Sequence, residues 1–272
     1  MKTIAARFGL ALLVLTGGIN VARADQPEPA EGTGSFSSGL VYTSGTYGSR
    51  TTTTIRSVPL TAVLSSGDFT LDVSVPYLNV NGDPNVIPGL GKVNNKNPTK
   101  RGKGAPVGSA AGFGDLVAAL TYDLYSNDEA EFGFDVTGSA KLATGDSTLG
   151  LGSGANDYTA EMSAYKALGP VTFLATVGYS VLGSTPYIKL RKHAQNYSLG
   201  ALFRASRKWS IGLTYATEPQ SPDPTSNAPA RDLTAILIWE LSKMWSIQGY
   251  AIKGMANGSP DTGGGATLKF AF

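Results

Sequence analysis

Charged side chains recur at alternate positions of apolar stretches in this chain, and they are the residues that could act on ions or solutes. Asp72 lies between Leu71 and Val73. In a strand, alternate residues point to opposite faces, so the charges separate from the apolar side chains. Charges facing lipid are costly, so in a membrane barrel we expect the charged face to line the lumen. The predicted lumen-lining residues are Arg56, Asp72, Asp115, Asp123, Asp135, Lys141, Glu161, Arg204, Asp232, Glu240 and Lys269.

The chemistry that this set could perform is selection of solutes by charge. Counted from a periplasmic N-terminus, Asp135 and Glu161 fall near mid-height, with Lys141 toward the outer mouth and Arg204 and Lys269 toward the periplasmic mouth. Carboxylates at the narrowest point would favour cations or neutral solutes over anions. The same charges could instead pair with one another and plug a narrow barrel. The sequence leaves both arrangements open.

A second group of charges is basic and lies in two predicted loops. Such cations could be simply solvated, or could form an outer rim that meets lipopolysaccharide phosphates or collects anionic solutes. The predicted rim residues are Lys92, Lys96, Lys100, Arg101, Lys103, Lys189, Arg191 and Lys192.

Other chemistry has little support in the sequence. Gly150–Gly154 lacks the Gly-Lys-Ser/Thr ending and the following helix of a phosphate-binding loop. His193 is the only histidine, and no recognisable nucleophile motif accompanies it, although Ser198 is near in sequence. The chain has no Cys, which excludes disulfides and Cys-ligated metals. We therefore predict no catalytic residue, no cofactor and no metal site.

The chain divides into three predicted segments. Residues 1–24 are typical of a secretory signal peptide, with a basic start, an apolar Phe8–Leu15 and the cleavage site Ala22-Arg23-Ala24. Residues 25–34 form a flexible lead, and residues 35–272 form the barrel. Without the signal peptide, 19 basic residues face 20 acidic ones, for a net charge of −1. That balance gives no reason to expect a nucleic-acid partner.

The barrel residues predict an all-β fold, a transmembrane antiparallel up-and-down β-barrel of about 12 strands. Each strand is close to the length that a tilted membrane strand needs. Short turns such as Gly169-Pro170 alternate with long loops such as Asn79–Ala111, as they do in outer-membrane barrels. A soluble β-sandwich would also bury the apolar faces, but it does not explain the one-sided loop lengths.

The last strand, Gly263–Phe272, predicts how the barrel closes. Leu268, Phe270 and Phe272 point to one face and Thr267, Lys269 and Ala271 to the other. A bare aromatic edge strand invites aggregation, and pairing the last strand with the first removes that edge. The ending resembles the C-terminal signal of bacterial outer-membrane barrels, which implies recognition by the outer-membrane assembly machinery through Phe272.

The middle of the chain resembles a family of outer-membrane proteins assigned to transport in the meta-cleavage pathway of phenol degradation. The matching residues are Gly112-Phe113-Gly114-Asp115, Lys141 to Asp146, Gly150 to Gly154 with Asp157, and Val177-Gly178-Tyr179. The family usually has Pro-Thr-Gly-Asp where this chain has Ala143-Thr144-Gly145-Asp146. The resemblance covers about a third of the chain and implies a channel associated with small, often aromatic, compounds.

These observations lead to a functional expectation. We expect a barrel of the Gram-negative outer membrane that passes small solutes, including aromatic or hydrophobic ones, by diffusion. Its expected partners are membrane lipid, lipopolysaccharide, the assembly machinery and the solute. The alternatives are a structural or adhesive barrel whose loops act at the surface, and an outer-membrane lipid hydrolase.

Overall fold

The computed structural model describes residues 33–97, 100–102, 105, 107–218, 223 and 229–272. The predicted signal peptide and the lead as far as residue 32 lie outside this range. In the part described, the chain is all-β, and no helix is long and apolar enough to span a membrane. The first strand begins at Thr33, two residues before the predicted start of the barrel.

The residues that the structure describes form fifteen strands. They are β1 (Thr33–Gly45), β2 (Thr53–Ser66), β3 (Phe69–Gly82), β4 (Val86–Ile87), β5 (Gly91–Lys92), β6 (Gly108–Phe113), β7 (Leu116–Asn127), β8 (Phe132–Leu142), β9 (Asp157–Leu168), β10 (Val171–Val181), β11 (His193–Arg204), β12 (Trp209–Glu218), β13 (Ala230–Glu240), β14 (Trp245–Gly254) and β15 (Thr262–Ala271).

The strands form one closed antiparallel barrel, and only the hairpin of β4 and β5 stands apart from it. β6 and β7 both pair with β3, at Tyr77–Gly82 and Phe69–Ser74, so together they make one barrel strand. The register shifts by one residue at Gly114-Asp115, which is a β-bulge. The barrel therefore has 12 strands, and the predicted fold is confirmed.

Connections at the two ends of the barrel differ in length. One end, here the short-turn end, carries residues 67–68, 128–131, 169–170, 205–208 and 241–244 together with Thr33 and Phe272. The other, here the long-loop end, carries residues 46–52, 83–107, 143–156, 182–192, 219–229 and 255–261.

The longest loop is shorter than the predicted Asn79–Ala111, because β3 runs on to Gly82 and β6 begins at Gly108. Leu78 and Val80 are buried inside the barrel, while Asn79 and Asn81 are exposed on its outer side. Above the hydrocarbon layer an outward Asn meets water or headgroups, so the usual pattern of apolar residues outside and polar residues inside reverses there. This reversal made the end of β3 look like a loop in the sequence.

The outer surface is apolar and bounded by two belts of aromatic residues. Toward the short-turn end these are Phe36, Phe69, Tyr125, Phe173, Phe203, Trp209, Trp239, Trp245 and Phe272; toward the long-loop end they are Tyr42, Tyr77, Phe113, Tyr158, Tyr179, Tyr197 and Tyr215. Leucines, valines and Met162 lie exposed between the belts. Such a band with aromatic girdles at both interfaces fits a bilayer.

Candidate functional site

Most of the predicted lumen residues do point into the barrel. Asp72, Asp135 and Glu161 are 4%, 2% and 5% exposed, on strands whose outward neighbours are partly or fully exposed apolar residues. The remaining inward members of the set are partly buried: Asp115, Asp123, Lys141, Arg204, Asp232, Glu240 and Lys269. Arg204 and Lys269 lie at the short-turn end, and Lys141 lies at the long-loop end.

Arg56 is the exception, because its side chain lies on the outer face. It is exposed and stands opposite Tyr42 of β1 and Asn79 of β3, both of which are also exposed. Its neighbour Ile55 takes the inward position and packs against the buried cluster that contains Leu78 and Val80. Arg56 lies so close to the long-loop end that the outer face there is beyond the hydrocarbon layer, and its guanidinium can reach the headgroups. The prediction of a lumenal Arg56 is wrong.

Three carboxylates lie on adjacent strands inside the barrel. Their level, here called the waist, is defined by Asp123, Asp135 and Glu161. Asp123 of β7 stands directly opposite Asp135 of β8, and Glu161 of β9 stands opposite Thr137, one inward position along from Asp135. Directly opposed residues have Cβ atoms roughly 5 Å apart, and diagonal neighbours lie about 7–8 Å apart. Both carboxylate oxygens of Asp135 and one of Glu161 have no hydrogen-bond partner among the described residues.

Asn196 is the waist residue that sequence reasoning missed. Its Nδ2 donates a hydrogen bond of 2.6 Å to Oε1 of Glu161, although β10 separates their strands. The intervening position is Gly178, where an added Cβ would lie 2.0 Å from Oδ1 of Asn196. The missing side chain of Gly178 therefore makes room for this contact. Alternation in Gln195–Ser198 could have indicated Asn196 as a polar inward residue. No local pattern, however, identifies Glu161 as its partner.

Hydroxyl groups line the wall beside these carboxylates. Cross-strand pairs bring Thr121 within 2.8 Å of Thr137, Ser163 within 3.0 Å of Thr176, and Thr159 within 2.8 Å of Ser180. In each pair, the two hydroxyl groups form a hydrogen bond with each other across neighbouring strands. The β7–β10 side of the lumen is thus polar and acidic.

An apolar patch lies on the β11–β14 part of the lumen wall, among polar inward residues such as Thr214 and Thr234. Leu202 of β11 and Ile236 of β13 are buried on the inward face, on either side of Gly212 of β12. Tyr250 of β14 stands opposite Ile236, and Ile252 is buried further toward the long-loop end. The lumen therefore has an acidic, hydroxyl-rich side at β7–β10 and an apolar patch among polar residues at β11–β14.

A separate ionic cluster lies at the long-loop end. The Lys141 ammonium forms salt bridges of 3.1 Å to Asp115 and 2.8 Å to Asp157, and it donates a hydrogen bond to Ser153 Oγ. Oδ1 of Asp115 accepts a hydrogen bond from the Gly145 N–H at 2.9 Å. These charges are paired, unlike Asp135 at the waist.

All the motifs behind the family resemblance except Val177-Gly178-Tyr179, which lies on β10, meet in this cluster. Thr144 accepts a hydrogen bond from the Leu116 N–H and donates one to the Gly114 carbonyl, which ties the 143–156 loop to the bulge. An added Cβ on Gly152 would lie 2.3 Å from Oδ1 of Asp115. The glycines therefore let the loop backbone approach the Asp115 carboxylate, and the motif is explained by packing at the barrel end.

Arg101 is not the exposed rim cation that the sequence predicted. It is 3% exposed, and its guanidinium donates hydrogen bonds to the carbonyls of Asp83, Val86, Leu149 and Gly150. Burial lowers the pKa of Arg101 to about 10, and the nearby Asp83 opposes that shift. Arg101 joins the 83–107 loop to the 143–156 loop.

The remaining basic residues of the predicted rim differ in their hydrogen bonds and in their exposure. Lys92 donates to the Gly48 carbonyl, and Lys100 donates to Asn95 O and Asn85 Oδ1. Lys96, Lys189 and Lys192 are exposed, and Arg191 is partly exposed. Lys103 lies outside the described residues.

Apolar contacts also hold the loops together. Ile87 and Val93 of the 83–107 loop form a buried cluster with Ile188 and Leu190 of the 182–192 loop. Asn95 and Ile188 form a β-bridge between the same loops. The 83–107 loop thus contacts loops on several sides of the barrel and narrows its long-loop end.

His193 and Ser198 are not placed to act together. The His193 ring stacks on Tyr179 at 5.4 Å on the outer face, whereas Ser198 occupies an inward position of β11. A nucleophile and its general base need hydrogen-bond contact. Among the described residues, no group of three or more His, Asp or Glu side chains could hold a metal ion.

Comparison with known proteins gives a fold likeness. No protein-family model and no curated protein sequence matches the chain. Among solved structures, it is similar to an outer-membrane channel of Pseudomonas putida F1, with 14% identity, a TM-score of 0.57, and coverage of 92% of this chain and 100% of that one. The KdgM porin matches at 7% identity and a TM-score of 0.49, covering 88% of this chain and 99% of that one.

At these identities the likeness concerns the fold alone, and the resemblance to the phenol-degradation family remains a prediction. The closed barrel, its apolar band and its two aromatic belts place the protein in the Gram-negative outer membrane.

Proposed function

We propose that this protein is a passive channel that carries small solutes across the outer membrane. The observation that carries the proposal is Asp135, which is 2% exposed, points into the lumen, and has two carboxylate oxygens without a protein partner among the described residues. A buried charge is costly unless something solvates or pairs it. Because neither oxygen touches solvent, water or a passing cation would reach them only when the neighbouring lumenal side chains move aside.

The plugged barrel is the less favoured arrangement. A plug made of mutual ion pairs would pair the waist carboxylates with basic side chains. Lys141 instead pairs with Asp115 and Asp157 at the long-loop end, and no described cation forms a salt bridge with Asp135 or Glu161. The ion pairs therefore brace a loop and leave the waist acidic.

The acidic side and the apolar patch of the lumen favour a class of solutes. The acidic side attracts cations, and the apolar patch with Leu202 and Ile236 suits the flat or aliphatic part of a solute. We infer that cationic and neutral solutes with an apolar portion, including aromatic ones, pass more readily than anions. The resemblance to the phenol-degradation family supports the aromatic part of this inference.

Two partners belong to the same proposal. The C-terminal strand that ends at Phe272 would be recognised by the assembly machinery of the outer membrane. Lipopolysaccharide would surround the long-loop end, where Lys189 and Lys192 are exposed.

The test is conductance of the refolded protein in a planar bilayer, with uptake of neutral, cationic and anionic aromatic solutes measured in liposomes. Discrete channels and faster uptake of the neutral and cationic solutes are expected. A folded, heat-modifiable protein that neither conducts nor admits solutes would contradict the channel and favour a structural or adhesive barrel.

A further inference from the structure

A row of mostly apolar residues, here called the apolar row, lines the lumen from β11 through β15 and β1 to β3. Strand pairing sets the row, because its members stand directly opposite one another on successive strands. Its large side chains, one each on β11, β13, β14, β1 and β3, are Leu202, Ile236, Tyr250, Val41 and Leu78. The inward rows on either side carry more polar side chains, among them Gln248 and Thr234.

Small residues occupy the row on the strands in between. Gly212 of β12 stands between Leu202 and Ile236, and an added Cβ there would lie 3.3 Å from Cδ1 of Leu202 and 3.5 Å from Cβ of Ile236. Gly265 of β15 follows Tyr250, and an added Cβ there would lie 2.7 Å from the Tyr250 hydroxyl oxygen. Each glycine is therefore covered by a neighbouring side chain, which keeps the apolar surface continuous.

The apolar row climbs the wall from one end of the barrel toward the other. Leu202 lies two residues before the short-turn end of β11, and Leu78 lies four residues before the long-loop end of β3. At about 4.8 Å per strand the row is roughly 34 Å long, and a strand tilt of about 40° raises it by roughly 20 Å. At the long-loop end Leu78 joins the buried cluster of Val80, Ala110 and Leu151.

The acidic residues of the waist lie on strands that the apolar row does not cross. Asp135 is on β8 and Glu161 is on β9. A solute that carries both a charge and an apolar group can therefore use the two parts of the lumen at once. Moving from one member of the row to the next returns little apolar area to water, so no step along it carries a large hydrophobic cost.

We propose that the apolar row is the route along which the apolar group of a solute moves, while the charge of the same solute faces the acidic side of the lumen. This inference rests on the proposed channel function. It adds the path and a finer class of solute: among cations of equal charge, the channel selects those that carry an aromatic ring or a short alkyl group. Ile236, Tyr250 and Val41 determine that preference.

The experiment compares two blockers of the potassium current through single channels of the full-length protein. Benzyltrimethylammonium and tetramethylammonium carry the same fixed charge, which keeps both out of the lipid, and the first adds an aromatic ring. The half-blocking concentration should be about tenfold lower for benzyltrimethylammonium, because its ring is partly buried against the apolar row. Asp135→Asn should raise both half-blocking concentrations by the same factor.

Two variants test the row itself. Ile236→Thr combined with Val41→Thr should reduce the tenfold ratio to about twofold and leave block by tetramethylammonium unchanged. Val41→Thr alone keeps the shape of the side chain and should reduce the ratio by about half. Ile211→Thr is the matched control, because Ile211 is 52% exposed on the outer face of β12, opposite Leu237. It should keep the tenfold ratio.

The outcomes separate this inference from the channel function. A folded wild-type protein that carries no current would contradict the channel, and the route with it. Equal half-blocking concentrations of the two blockers in a conducting wild type would overturn the route alone. An unchanged ratio in the double variant, or an equal fall in Ile211→Thr, would also overturn it. If the double variant does not fold, Val41→Thr decides.

Discussion

Gly34 and Phe272 exchange two backbone hydrogen bonds, each with an N to O distance of 2.9 Å. They extend the pairing of β1 with β15 to the last residue of the chain. The Phe272 ring also covers Gly34, because an added Cβ there would lie 2.6 Å from the ring carbons. The C-terminal aromatic therefore closes the barrel through both its backbone and its side chain.

Gly34→Ala should weaken this closure. The added methyl group forces the exposed Phe272 ring aside, which we expect to lower the free energy of unfolding by about 0.5–1 kcal/mol, below the cost of overpacking a core. Urea unfolding followed by heat-modifiable gel migration measures the effect. Gly249→Ala, with its open surroundings, is the control and should migrate as the wild type does. Equal midpoints for the two variants would mean that the contact with Phe272 contributes nothing.

Deleting Phe270–Phe272 should block assembly altogether. The truncated strand loses its outward aromatics, including Phe270, whose ring packs on Trp245 at 4.8 Å, and Gly34 loses both backbone hydrogen bonds to Phe272. Absence of the protein from the outer-membrane fraction is the expected result. Normal insertion and heat-modifiable migration of the truncated chain would show that closure needs neither the contacts nor the signal.

Arg101→Met should loosen the long-loop end. The carbonyls of Asp83, Val86, Leu149 and Gly150 would lose their shared donor, at a local cost of about 2–4 kcal/mol. Protease added to intact cells should then cut the 83–107 loop faster than in the wild type. Arg101→Lys should rescue poorly, since one ammonium cannot reproduce the planar fork.

The control for that experiment is Lys96→Ala, because Lys96 is exposed. It should be cut at the wild-type rate. Cleavage of the 83–107 loop only after rupture of the outer membrane would invert the expected orientation, in which the long loops face outward.

Asp115→Asn should release the 143–156 loop. Lys141 would keep only Asp157 as an ionic partner, and the Gly145 N–H would lose its charged acceptor. We expect the temperature of heat-modifiable unfolding to fall, with a loss of about 1–3 kcal/mol. Asp261→Asn, at an exposed position, is the control. Wild-type behaviour of Asp115→Asn would indicate that the cluster does not hold the loop.

Charge selectivity should depend on the waist. Asp135→Asn with Glu161→Gln removes two lumenal carboxylates, so the permeability ratio of cations to anions should fall by a factor of about two to ten, more at low salt. Reversal potentials across a salt gradient measure it. Arg56→Gln, on the outer face, should leave the ratio unchanged. A conducting double variant with an unaltered reversal potential would mean that ions do not pass these side chains.

The sequence by itself determined the strands and, for most of them, which face is inward. Alternation along Phe69–Tyr77 and Val171–Val181 is a local property of extended backbone, so it survives without knowledge of any partner strand. The alternating short and long connections indicated the number of strands, and the aromatic last strand indicated that the barrel closes. Both features are local in the sequence, so neither requires knowledge of the strand partners.

The tertiary structure decided which residues meet. Asp123 faces Asp135, and Asn196 reaches Glu161, because the registers of separate strand pairs set these neighbours, and no local pattern encodes a register. Arg56 points outward because Ile55 packs inside, in a stretch where both faces carry β-branched and polar residues. Arg101 is buried because residues from two distant loops supply its acceptors, and that contact exists only after the barrel has brought the loops together.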